Sequence, residues 1–148
     1  MKPIRNSAKA IIVRNNQLLT LKCIDMGTIF YQLPGGGQQN GETLTNALKR
    51  ECLEEISAEV AVGDLLFIRE YIGGKHGPEW HQVEFMFSCA LPDSVECKQG
   101  TEPDKVQIAI EWLPLEQLDQ YNLYPKALIP GLMNGFSENT SVYLGDVE

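Results

Sequence analysis

Basic charge, paired cysteines, long apolar runs and repetition are all scarce in this chain of 148 residues. Lysine and arginine number 12 against 20 aspartates and glutamates, a formal charge of −8, and no run of Lys and Arg offsets it. Such a surface repels a phosphate backbone, which argues against polymeric nucleic acid as a partner. No apolar run approaches the length of a membrane span, and the start Met1-Lys2-Pro3-Ile4-Arg5-Asn6 lacks the apolar stretch of a secretory signal. The expectation is a soluble, cytoplasmic protein with no membrane partner. Cys23, Cys52, Cys89 and Cys97 show no CxxC spacing, so reduced, structural thiols are expected. With no repeat, low-complexity tract or linker, residues 1–148 read as a single domain, long enough to bury a core without disulfides. The negative charge also sets a condition on ligands: a phosphorylated small molecule needs divalent cations to bridge it to the protein.

What is present is a succession of short patterned segments. Ala8 to Val13 and Leu18 to Cys23 are apolar runs, and Asn15-Asn16 between them tolerates the positive φ of a tight hairpin turn. A strand is predicted over Ile29 to Leu33, ended by Pro34, after which Gly35, Gly36 and Gly37 open a loop. From Thr43 to about Ile56 the period becomes helical, with Leu44, Leu48, Cys52 and Ile56 on one apolar stripe. Val60 to Glu70, Val83 to Leu91 and Val106 to Leu113 read as strands. Pro114 to Leu118 suggests a helical turn, and Tyr124 to Met133 a last helix with Pro125 in its first turn and Pro130 interrupting it. The pattern is a mixed sheet sandwiched between helices.

The helix carries the chemistry. At 100° per residue, Glu51, Glu54 and Glu55 fall within an arc of about 100°, so three carboxylates converge on one patch. A solvated acidic face is one reading; a set of oxygen ligands for Mg²⁺ or Mn²⁺ is the other. Two details favour the second. The acidic arc overlaps the apolar stripe through Leu44 and Leu48, which puts the carboxylates at the border of the core, where metal pairing is rewarded. The glycines just upstream let bare backbone approach a ligand and offer a carbonyl to a metal.

In order, the chain shows Gly36, five residues, Glu42, seven residues, Arg50-Glu51, an apolar residue, any residue, Glu54-Glu55, any residue, Ser57 and apolar Ala58. This resembles the signature of the Nudix hydrolase superfamily, and chance would produce six such identities at fixed spacing with a probability on the order of one in a million. The flanking hairpin, the Tyr31-Gln32-Leu33-Pro34 approach and the later strands are also similar to that family's domain. The resemblance implies an α+β fold, the α/β/α sandwich with a mixed β-sheet, in one domain whose signature lies at 36–58. It implies a metal-dependent hydrolase that cleaves the phosphoanhydride bond of a nucleoside diphosphate linked to another moiety, in a nucleoside triphosphate or nucleotide sugar. The alternative on the same fold is a non-catalytic module that senses a nucleotide or ADP-ribose.

By resemblance, Glu51, Glu54 and Glu55 ligate Mg²⁺ or Mn²⁺ with the Gly35 carbonyl, while Glu42 and Arg50 support them. Arg50 lies roughly 100° from the acidic arc on a helical wheel, so it is expected to orient a glutamate or pair with Glu42. Glu51 is the first choice of general base and Glu102, in the polar segment before the Val106 strand, the second; Glu84 lies in a strand that can face either way. Gly36, Gly37 and Tyr31 are expected at the substrate, with Phe30, Tyr71 and Trp80 as further aromatic candidates and His76 and His81 flanking Trp80 in a glycine-containing segment. The family usually has glycine where this chain has Ser57; serine in a left-handed cap costs roughly 1 to 2 kcal/mol, so a different helix end is expected. Tyr71 and Pro78 do not match the spacing of dinucleoside polyphosphate or ADP-ribose enzymes, which leaves the nucleotide open. The partner expected is a small-molecule nucleotide, and the family is often found as a homodimer.

Overall fold

A computed structural model describes residues 1–135 and 141–148. Strands β1 (Arg5–Arg14) and β2 (Gln17–Asp25) form the expected hairpin, and both turn residues, Asn15 and Asn16, adopt positive φ (51° and 58°). This is the geometry whose twist suits a two-residue connection. The hairpin is zipped only at its turn, where Val13 faces Leu18 and Arg14 faces Gln17. Beyond that the strands part. β1 takes β6 (His81–Ala90) as a parallel neighbour, while β2 pairs with β3 (Thr28–Gln32) and β7 (Gln107–Pro114). With β5 (Ala61–Ile72), β8 (Leu123–Tyr124) and β9 (Tyr143–Asp146), the main path runs β8-β3-β2-β1-β6-β5-β9, a mixed sheet.

Helix α1 (Leu44–Ile56) starts at Thr43, whose Oγ1 accepts the Asn46 N–H at 3.1 Å. That bond satisfies one donor the first turn leaves free. Its buried Leu48, Cys52 and Ile56 pack on Ala8, Ala10 and Ile12 of β1 and on Leu19, Leu21 and Cys23 of β2. Strand alternation sends Ile11 and Leu18 to a second cluster with Phe67, Met86, Leu128 and Leu132. The second helix, α2 (Ile129–Met133), covers that side.

Four expectations change. The glycines at 35–37 are not a loop but a short strand, β4 (Gly35–Gly37), antiparallel to β1 with Lys9 opposite Gly35 and Ser7 opposite Gly37. A Cβ on Gly35 would lie 2.1 Å from the Ala8 carbonyl oxygen, so only glycine lets the backbone lie this close. The last helix is shorter than Tyr124–Met133: Pro125 is extended, and a residue before proline is steered away from helical geometry. Pro130 opens α2 instead of interrupting it, at a position where its missing N–H costs nothing. The helix end is not rearranged to suit Ser57, which takes the left-handed conformation itself (φ 53°, ψ 37°).

Candidate active site

The stripe that buries Leu48 and Ile56 also turns Glu55 inward, leaving it 3 % exposed. Burial pushes its carboxyl up to about 7; the Lys9 charge and the Gly35 N–H oppose the shift, while Glu51 and Asp104 add to it. The Gly35 N–H donates to Glu55 Oε1 at 2.7 Å, and Lys9 Nζ donates to the Gly35 carbonyl at 3.1 Å. β4 is thus held between the helix and β1 at one residue.

Arg50 gathers the remaining signature carboxylates. Nε and Nη2 grip Glu42 as a fork at 2.8 and 3.0 Å, Nη1 donates to Glu51 at 3.0 Å and to Glu54 at 3.3 Å, and Nη2 also reaches the Gly37 carbonyl at 3.0 Å. The Arg50 fork and the Gln39 N–H hold the Glu42 carboxyl below its usual range. Glycine at 36 leaves room for this arrangement, since a Cβ there would sit 2.6 Å from the Glu51 carboxyl carbon; at 37 it would meet the Arg5 guanidinium.

A cavity of about 710 Å³ opens between these residues and the sheet. Gly35, Gly36, Glu51, Glu55 and Glu102 line one side. Glu102 arrives there because the preceding loop caps α1: the N–H groups of Lys98, Gly100 and Glu102 donate to the carbonyls of Ile56, Glu55 and Glu54. These are acceptors a helix end leaves without intrahelical partners. Gln107 Nε2 adds a second donor to the Glu55 carbonyl at 3.0 Å. A Cβ on Gly100 would lie 2.0 Å from the Glu54 carbonyl oxygen, so the cap needs glycine. Glu54 itself does not line the cavity; it lies beside Arg50, on the outer edge of the arc.

The other side is built from the sheet. Glu84 faces inward, in a buried ion pair with Arg69 and accepting Gln82 Nε2 at 2.9 Å. The segment after β5 contributes His76 and Trp80, ring against ring at 4.7 Å, with Lys75 reaching across to Asp25 at 3.1 Å and over the Phe30 ring at 5.0 Å. Tyr71 lines the same wall, while His81 is bonded to Glu70 at 2.8 Å. Tyr31 is a correction: it is buried in the second core cluster against Tyr121, because strand alternation gives the cavity its neighbours Phe30 and Gln32 instead.

Among the described residues, no three His, Cys, Asp or Glu side chains are gathered into a metal cage, and two of the expected ligands are drawn to Arg50. The donor set still fits a hard divalent cation. Glu51, Glu54, Glu55 and the Gly35 carbonyl offer oxygen alone, and the glycine at 36 keeps open the space that Glu51 occupies. Sequence reasoning missed Ser7, Lys9, Arg69, Gln82 and Asp104, all of which line the cavity. One signal was available: Arg5, Ser7 and Lys9 are polar at every second position, the mark of a strand face that is not core.

A family model described as NUDIX domain matches residues 3–131. Among solved structures, the chain is similar to a Nudix hydrolase from Nitrosomonas europaea, at 20% identity over 89% of this chain and 87% of that one, with a TM-score of 0.71. It is also similar to a MutT Nudix hydrolase from Burkholderia pseudomallei (27% identity, 86% and 96% covered, TM-score 0.67). An ADP-ribose pyrophosphatase from Streptococcus suis superposes over 97% of this chain and 100% of that one, at 19% identity and a TM-score of 0.65. No curated protein sequence matches the chain.

Proposed function

Because the chain belongs to the Nudix hydrolase family, whose domain model spans residues 3–131, we propose that it cleaves the phosphoanhydride bond of a nucleoside diphosphate linked to a further group, with Mg²⁺ or Mn²⁺. The observation that carries this reading is the convergence of Glu51, Glu55 and the Gly35 backbone on one cavity. Glu51, Glu54, Glu55 and the Gly35 carbonyl would hold the ion. When bound, such an ion neutralises the diphosphate and acidifies an attacking water.

The chain's own residues do the rest. Arg50 holds Glu51 and Glu54 side by side and anchors Glu42 beneath them, so the carboxylates are ordered before any ligand arrives. A carboxylate at the cavity wall takes the proton from the attacking water. Glu51 is the first choice, and Glu102, brought to the same wall by the cap on α1, is the second. Gly36 lets the substrate approach the β4 backbone, whereas Gly37, expected there too, lies outside the cavity with its carbonyl on Arg50; Trp80 and Phe30 offer faces to a base. The nucleotide is a triphosphate or a nucleotide sugar, the compartment the cytoplasm, and the partner a small molecule, not a nucleic-acid polymer or a membrane; a homodimer is the assembly proposed. Among the described residues no helix is long and apolar enough to cross a membrane.

The test is product analysis with Mg²⁺ or Mn²⁺ on nucleoside triphosphates, ADP-ribose, sugar nucleotides and dinucleoside polyphosphates. Release of a nucleoside monophosphate from at least one is expected; binding without turnover on every compound would replace the enzyme with a sensor. Glu51→Gln and Glu102→Gln, compared by single-turnover rate at saturating metal, separate the two bases.

A further inference from the structure

The residues lining the cavity are acidic in balance: seven carboxylate side chains against four cations. Of those cations, Arg69 is committed to Glu84 and Lys75 to Asp25, while Arg5 lies over the Trp80 ring at 5.7 Å. Lys9 is different. Like Arg5 it has no ion pair within 4 Å among the described residues, but its ammonium alone donates to the Gly35 carbonyl, the backbone oxygen assigned above to the metal. Two residues along β1, on the same face and roughly 6.8 Å away by strand rise, stands Ser7. Ser7 is 1 % exposed, and its Oγ has no hydrogen-bond partner among the described residues although Ser7 lines the cavity. A buried hydroxyl without a partner is costly unless something supplies one.

We propose that β1 grips the diphosphate of the substrate at two points, Lys9 Nζ and Ser7 Oγ, and that Lys9 guards the Gly35 carbonyl until metal and substrate replace it. The proposal rests on the metal-assisted reading above and adds what β1 does within it. The ammonium at Gly35 partly balances the Glu55 charge, a role a divalent ion fills better. Once the ion takes the carbonyl, the four-carbon stem of Lys9 lets its three donors turn to a phosphoryl oxygen. Ser7 is already placed to donate to the next one. No bond is made or broken by either residue; they bind and orient.

A merely structural Lys9, which only pins β4 to β1, predicts something else, and two measurements separate the cases. Mn²⁺ binding is followed by electron paramagnetic resonance of the free ion, and binding of methylenediphosphonate, a diphosphate without a nucleoside, by calorimetry with and without Mn²⁺. Lys9→Met should bind Mn²⁺ about threefold to tenfold more tightly and methylenediphosphonate about tenfold more weakly, the loss expected for one charged hydrogen bond. Lys9→Arg should recover most of the diphosphonate affinity. Ser7→Ala, which removes an atom that supports nothing in the fold, should leave Mn²⁺ binding unchanged and weaken methylenediphosphonate about threefold to fivefold. Wild-type Mn²⁺ affinity in Lys9→Met, or wild-type diphosphonate affinity in both Lys9→Met and Ser7→Ala, overturns the proposal. Failure of the unaltered protein to bind Mn²⁺ would strike the metal assignment and the guarding role of Lys9 with it, while metal-free methylenediphosphonate binding by Ser7→Ala still decides the Ser7 half of the grip, wild-type affinity overturning it.

Discussion

The two walls of the cavity are built on opposite principles. On the helix wall nearly every polar group has a partner: Glu55 has the Gly35 N–H, Glu51 has Arg50, which also holds Glu54 just outside the cavity, and the last carbonyls of α1 are capped by the 98–102 loop. On the sheet wall Ser7 Oγ and Trp80 Nε1, both buried, have none among the described residues, and the segment carrying Trp80 crosses to the hairpin through the half-exposed pair of Lys75 and Asp25. A wall complete in itself suits groups whose position must not depend on the ligand. A wall with open valences suits groups that the ligand completes.

The contrast is broken most severely at the helix. Replacing both Glu54 and Glu55 by Gln should lower the hydrolysis rate by at least about a thousandfold while circular dichroism stays native; retained turnover would remove these residues from the metal site. Next comes the cap. Gly100→Ala forces a Cβ against the Glu54 carbonyl and should cost about 2 kcal/mol by urea denaturation. A variant as stable as the parent would show that the loop is free to shift. The sheet wall is tested by Trp80→Ala, which should raise KM for a nucleotide by about tenfold with little change in kcat, the worth of one stacking contact. Loss concentrated in kcat would instead make Trp80 part of the chemistry. The smallest effect is expected at Ser57, whose left-handed conformation (φ 53°) suits glycine. Ser57→Gly should raise stability by about 1 kcal/mol, seen as a Tm increase of about 2 to 4 °C; a lower Tm would mean that the unfolded-state entropy of glycine wins.

The same division explains how much could be read from the chain alone. The Asn15-Asn16 turn and the period of Leu48, Cys52 and Ile56 are local patterns, and both elements formed where the pattern placed them. Glu51, Glu54 and Glu55 sit within five residues, so helix geometry alone could say that they share a face. The sheet wall draws on β1, β3, β5, β6 and the connection after β5, residues spread between Arg5 and Glu84 that meet only through strand register. The two residues of β8 and the four of β9 exist because a distant strand pairs with them, and nothing in Leu123-Tyr124 announces it. Tyr31 was misplaced by one residue of alternation, which in a strand is enough to reverse a side chain. Lys9 is hidden inside the Ala8–Val13 run, whose composition is apolar, and the polar face it shares with Arg5 and Ser7 begins before that run.

Capping α1 with the loop that carries Glu102 also has a kinetic meaning. Amide protons of Lys98, Gly100 and Glu102 belong to a loop by sequence, yet their acceptors are the carbonyls of Ile56, Glu55 and Glu54. They can exchange with solvent only when the helix end opens, so loop and helix should lose protection together as one cooperative unit. A fluctuation that frays the last turn of α1 would then carry Glu54, Glu55 and the downstream Glu102 out of register at the same moment, and restore them at the same moment.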